Sequence, residues 1–158
     1  MRLLSLTFLA LALTACMRDS PHNAPVTREE ATRIAEQAEA SFTSGDLNAI
    51  MSHYADGAVM FDASHANLST DRKAQAGWAQ SFISMKPGDY HVPDRQIQVL
   101  GPDAFISSGT EIFTVAAGAA RPTVSARFTD VFKRQKDGSW KIVNEHVSMP
   151  PSTAPAAQ

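Results

Sequence analysis

Two stretches in the C-terminal third bring ionisable side chains into apolar surroundings, where acid–base chemistry becomes possible. The first is residues 124–132, in which Val124, Ala126, Phe128, Asp130 and Phe132 alternate with more polar residues. A β-strand repeats every two residues, so these five share one face. A carboxylate on an apolar face is costly unless it has a partner or a task. The second is "WKIVNEHVSM", residues 140–149. Strict alternation puts Trp140, Ile142, Asn144, His146 and Ser148 on one face, and Lys141, Val143, Glu145, Val147 and Met149 on the other. Asn144 and His146 then continue the apolar Trp140–Ile142 face, and Glu145 points away. An imidazole titrates near neutral pH and can act as base or donor. Asp130 and His146 are therefore the catalytic candidates.

Each has a plainer structural reading. Asp130 fits a sheet edge, bonded to an Arg or exposed at an interface, and His146 fits a residue bonded to a carbonyl or to Tyr54. Asp62 ends a strand on the face opposite Val59 and Phe61 and reads as a helix cap or loop anchor. If a pocket opens on the inner face, its expected lining is Tyr54, Phe61, Trp78, Phe82, Phe128, Asn144 and His146.

Other chemistries lack their signatures. The histidines, at 22, 53, 65, 91 and 146, form no i, i+4 pair, and Cys16 has no second cysteine beside it. No metal site is expected. Neither a Gly-x-Ser-x-Gly elbow nor a glycine-rich phosphate loop occurs, so no cofactor is expected. With a formal charge of −2 and no basic run, nucleic acid is not an expected partner.

Positioning these groups requires an α+β domain. Thr27-Arg28-Glu29-Glu30 forms a capping box, and Ala31, Ile34, Ala35, Ala38 and Phe42 follow at helical spacing. Asp46 caps a short helix striped by Leu47, Ile50, Met51 and Tyr54. A strand is predicted over residues 58–62 and a third helix over 70–85, stopped by Pro87-Gly88. The period then falls to two, predicting strands over 95–100, 104–116, 122–135 and 139–149. Three helices followed by an antiparallel meander segregate the helices to one face of the sheet. A curved sheet around them would form a cone whose open end can hold a ligand.

The ends point to export. Arg2 precedes an uncharged apolar run from Leu3 to Leu13, too short for a membrane-spanning helix and typical of a signal peptide. Leu13-Thr14-Ala15-Cys16 resembles a bacterial lipobox, which makes Cys16 a lipid-attachment site and accounts for a lone cysteine. The expected layout is a lipoprotein signal (1–15), a lipidated Cys and tether (16–26), one domain (27–149) and a disordered tail (150–158). Met17 at the following position favours the outer membrane, facing the periplasm.

Residues 44–62, "SGDLNAIMSHYADGAVMFD", resemble the helix-two-to-first-strand segment of the nuclear transport factor 2-like superfamily. Residues 127–148, with the Asp137-Gly138-Ser139-Trp140 turn and closing His146-Val147-Ser148, resemble its last hairpin. The nearest branches are the SnoaL-like polyketide cyclases and the association domain of calcium/calmodulin-dependent kinase II. The resemblance spans residues 27–149 and implies the cone-shaped fold. It does not fix a reaction, because the superfamily holds isomerases, cyclases, dehydratases and non-enzymes. Three readings follow. The first is a membrane-tethered domain that binds a small, largely apolar molecule and dimerises through its sheet. The second is an isomerase, cyclase or dehydratase with an Asp130/His146 proton shuttle, helped by Tyr54 or Asn144. The third is a pure oligomerisation module with Val131, Val143 and Val147 at the interface.

Overall fold

The computed structural model describes residues 24–151. The signal-like run, Cys16 and most of the C-terminal tail lie outside them. Helix α1 (Arg28–Phe42) begins as the capping box requires, with Thr27 Oγ1 accepting from the Glu30 backbone N–H at 3.1 Å. It buries Ala31, Ala35, Ala38 and Phe42. Helix α2 (Leu47–Ser52) is capped by Asp46, and α3 (Arg72–Ser84) by Asp71. The strands are β1 (Tyr54–Phe61), β2 (Gly88–His91), β3 (Gln96–Val99), β4 (Ala104–Thr114), β5 (Thr123–Arg134) and β6 (Trp140–Ser148).

Two differences from the expected elements have physical causes. Strand β1 starts four residues before Ala58, because Tyr54 already pairs with Ile142 of β6. Tyr54 is thus the first strand residue and not the end of a helical stripe. Strand β2, Gly-Asp-Tyr-His, shows no apolar alternation of its own. It forms by pairing with the far end of β4, Gly88 opposite Thr114 and His91 opposite Ile112.

The sheet runs β1-β6-β5-β4-β2, with β3 also paired to β4. Only the β1–β6 pairing is parallel; the others are antiparallel. The Asp137-Gly138 turn joins β5 to β6, and Gly138 takes the left-handed conformation that glycine adopts cheaply (φ +86°). The helices pack against one face of this sheet as a single α+β domain. At one end Phe105 and Phe132 stack with centroids 4.6 Å apart, and Trp140 lies 5.2 Å from Phe105. These side chains leave that end solid, with Phe105 and Phe132 essentially inaccessible to solvent.

Strand β6 departs from strict alternation. Phe132 pairs with Ile142, yet the next residue of β5, Val131, pairs with Asn144. Val143 is therefore an extra residue, a β-bulge that leaves the ladder and re-phases the strand beyond it. Ile142 is buried before the bulge and Glu145 is buried after it. The two sit three apart, a spacing no regular strand can place on one face. The inward set is Ile142, Glu145 and Val147, not Ile142, Asn144 and His146.

Deleting Val143 tests this directly. Without Val143, Ile142 and Glu145 stand two apart, so a regular β6 keeps both inside and the deletion should cost little. In an unbulged strand it would flip every later residue to the other face, at about 3 kcal/mol or more. Urea denaturation should therefore show a midpoint close to that of the wild type, and a loss of that size would rule out the bulge.

Candidate functional site

Beyond the solid end, the helices and sheet enclose a cavity of about 330 Å³. Its walls are apolar, with Phe42 from α1, Trp78 and Phe82 from α3, Phe113 from β4, Val124 and Phe128 from β5, and Val147 from β6. The aromatics brace one another. Trp78 and Phe82 stack at 5.9 Å, while Phe82 meets Phe42 edge-on at 6.0 Å and Phe113 at 5.3 Å.

Four carboxyl groups open onto this cavity: Asp62, Glu111, Asp130 and Glu145. Among the described residues, no Lys, Arg or His lines it. Asp130 and Glu145 are directly opposite each other on β5 and β6, 6% and 3% exposed. Tyr54 Oη donates to Glu145 Oε2 at 2.5 Å. The other oxygen, Glu145 Oε1, and Asp130 Oδ1 are buried without a hydrogen-bond partner. Glu111 stands farther along β4, where Tyr90 Oη donates to its Oε2 at 2.7 Å.

A nearby cation exists but is already engaged. Arg95 grips both oxygens of Glu39 at 2.5 Å and reaches Ser107, the residue opposite Asp130 on β4, at 3.1 Å. The guanidinium faces Asp130 only as a background charge.

Burial therefore governs the acids. It raises Glu145 to about 8, with Glu111 and Asp62 adding to the rise and the Tyr54 bond opposing it. Glu111 rises to about 7, again mainly through burial, against the Tyr90 bond and with help from Glu39 and Asp62. Asp130 moves well above the usual carboxylate range, through burial first and then its acidic neighbours Glu145, Glu111 and Glu39. Tyr54 and Tyr90 are likewise raised, mainly by burial, so both phenols remain donors. At neutral pH Glu145 thus stays mostly protonated, beside Glu111 close to its midpoint.

Asp62 shapes the mouth. Its Oδ2 accepts from the Trp78 indole N–H at 2.6 Å, and its Oδ1 accepts from the Ser64 backbone N–H at 2.8 Å and contacts His65 Nδ1 at 3.1 Å. The loop-anchor reading of Asp62 holds, and the anchor also faces the cavity.

Of the residues expected to line a pocket, Trp78, Phe82 and Phe128 do so. Tyr54 stands behind Glu145 and supports it. Phe61, Asn144 and His146 do not line the cavity. Phe61 is 43% exposed and packs on the His146 ring at 5.6 Å, outside it. The Asp130/His146 shuttle is thereby overturned, because the bulge turns His146 outward and brings Glu145 to Asp130. Asp130 is not at a sheet edge, since β5 lies between β4 and β6. Val147, expected at an outer interface, lines the cavity for the same reason as Glu145. Glu111 was missed although its signal matches that of Asp130. It stands two residues before Phe113, on the face that carries Phe105.

Residues 31–152 match the SnoaL-like domain, and the chain belongs to that family. None of the curated proteins compared with it matches. Among solved structures it resembles a Xanthomonas campestris protein provisionally named a calcium/calmodulin-dependent protein kinase II association domain. The identity is 22% and the TM-score 0.74, over 82% of this chain and 95% of that one. A Streptomyces avermitilis protein provisionally named a dehydratase of the nuclear transport factor 2-like family follows at 15% identity and TM-score 0.67, over 77% and 95%. A Shewanella frigidimarina protein provisionally named a ketosteroid isomerase matches at 19% and 0.64, over 75% and 94%. At these identities the likeness is one of fold, and it agrees with the sheet and helices described above.

The raised acids predict how stability depends on pH. Between the unfolded value of a glutamate, 4.5, and the folded value of Glu145, about 8, the native state holds a proton that the unfolded chain has released. Stability is therefore full below that window and falls as pH rises through it, by up to roughly 1.4 kcal/mol per unit for each such group. The melting temperature should drop from pH 5 to pH 9. Glu145→Gln keeps an acceptor for Tyr54 but cannot ionise, so it should flatten this slope and raise the melting temperature at pH 9. A variant as pH-sensitive as the wild type would contradict the assignment.

Proposed function

We propose that the domain binds a small, largely apolar molecule in the cavity, with its polar end against Asp130 and Glu145. The observation that carries this reading is the pair of unpartnered oxygens, Asp130 Oδ1 and Glu145 Oε1, buried in an otherwise apolar wall. Buried polar groups are nearly always bonded, and two unpartnered oxygens side by side in a concave site suggest a partner from outside the chain. The cavity is about the size of a two-ring molecule.

In this reading Cys16 carries lipid and tethers the domain to the membrane, exported and facing the periplasm. The outer face of the sheet pairs two copies, as the named role of the Xanthomonas protein suggests. Val131 and Val143 remain candidates for that contact; Val147 does not.

One observation favours a second reading. Glu111, titrating at about 7, is poised as a general base at neutral pH. It would take a proton from carbon α to a carbonyl, and the enolate oxygen would accept from the protonated Glu145. Protonation at a different carbon returns the proton and completes an isomerisation.

Filling the cavity tests the first reading. Ala126 is buried in its wall, and Ala126→Phe should abolish the fluorescence gain of the neutral probe N-phenylnaphthylamine while a cooperative melt is retained. Equal probe binding by both proteins would place the ligand elsewhere. Hydrogen–deuterium exchange of phenylacetone, followed by NMR, tests the second. Catalysed exchange should fall about 100-fold in Glu111→Gln, whereas exchange at the buffer rate with wild-type protein would eliminate the base.

A further inference from the structure

The cavity's charge pattern goes further than its size. Every ionisable group that lines it is an acid: Asp62 at the mouth, Glu111 on one wall, and Asp130 and Glu145 side by side. The two phenols packed behind them are committed as donors, Tyr54 to Glu145 and Tyr90 to Glu111. Arg95 is held by Glu39. What the site lacks is a donor for Asp130 Oδ1 and Glu145 Oε1, both on side chains more than nine-tenths buried.

We infer that the ligand is a small organic cation, a protonated amine on a mainly apolar body, whose nitrogen docks between Asp130 and Glu145. An ammonium group has up to three donors and no acceptor, the complement of two orphaned acceptors. It would also replace the protons those carboxyls otherwise hold, giving them the counter-charge that the protein does not supply. The walls suit the rest of such a molecule. Phe42, Trp78, Phe82, Phe113 and Phe128 surround the cavity, and aromatic faces attract organic cations, Trp most strongly. An anion would meet four acids and no positive charge. A neutral alcohol or ketone would gain the apolar contacts but no ion pair. This inference rests on the binding reading above and specifies the chemistry of its polar end.

Calorimetric titration at pH 7 with three probes of similar shape separates the cases: phenethylamine as cation, phenethyl alcohol as neutral and hydrocinnamate as anion. The amine should bind at least about 10-fold more tightly than the alcohol, as expected for a charge-assisted contact, and hydrocinnamate should bind least. Repeating the amine titration in phosphate and in Tris should show about one proton released per amine bound, as a neutral carboxyl ionises against it. Asp130→Asn and Glu145→Gln, made separately and checked by thermal melting, should each erase most of the preference for the amine.

Equal affinity for alcohol and amine would overturn the cation assignment and leave the binding reading standing. Tighter binding of hydrocinnamate would do the same. Amine binding without proton release, or with its preference intact in both variants, would show that Asp130 and Glu145 are not the contact. If none of the three probes binds, the cavity is not a site for molecules of this size, and both readings fall together.

Discussion

The extra residue in β6 decides what the concave face of the sheet contains. Had Val143 been paired, the strand would have alternated through to its end, and the interior would have received an amide and an imidazole. Because Val143 is looped out of the ladder, the interior receives Glu145 opposite Asp130, with Val147 beyond. Two carboxyls facing each other in an apolar wall are unfavourable for a fold whose only aim is stability. The bulge therefore does more than bend the strand. It converts a wall that could have been greasy, or mildly polar, into an acidic one.

The rest of the domain is arranged to tolerate that wall. The solid end, where Phe105, Phe132 and Trp140 pack, supplies apolar burial. Tyr54 and Tyr90 reach in from β1 and β2 to satisfy one oxygen each of Glu145 and Glu111. Tyr54 can do so because β1 lies parallel to β6, which brings the start of the sheet beside its last strand. The acidic wall thus depends on a pairing between segments about ninety residues apart, and the site cannot form before β6 joins β1.

Much of this was legible in the amino-acid order. The three helices, the four long strand regions and the family resemblance follow from capping boxes, helical stripes, a change of period and the Asp137-Gly138 turn. Asp130 could be picked out because a carboxylate interrupts Val124, Ala126 and Phe128. What could not be read was phase. Nothing in Ile142-Val143-Asn144-Glu145 distinguishes a bulged strand from a regular one, since either choice leaves one polar residue inside. Only the competing requirements of β5 on one side and β1 on the other settle it. Strand β2 was invisible because Gly88-Asp89-Tyr90-His91 lacks the apolar alternation that the equally short Gln96-Ile97-Gln98-Val99 shows. Glu111 is different, because its place on the face of Phe105 and Phe113 is readable in the alternation of β4.

The chain has two tryptophans. Trp78 forms part of the cavity wall and gives its indole proton to Asp62 at the mouth. Trp140 packs against Phe105 at the filled end, under the guanidinium of Arg134 at 4.9 Å. A molecule occupying the cavity would touch the Trp78 indole and leave Trp140 alone, whereas unfolding would release both from their packing, so intrinsic emission would separate occupancy from unfolding without any added label.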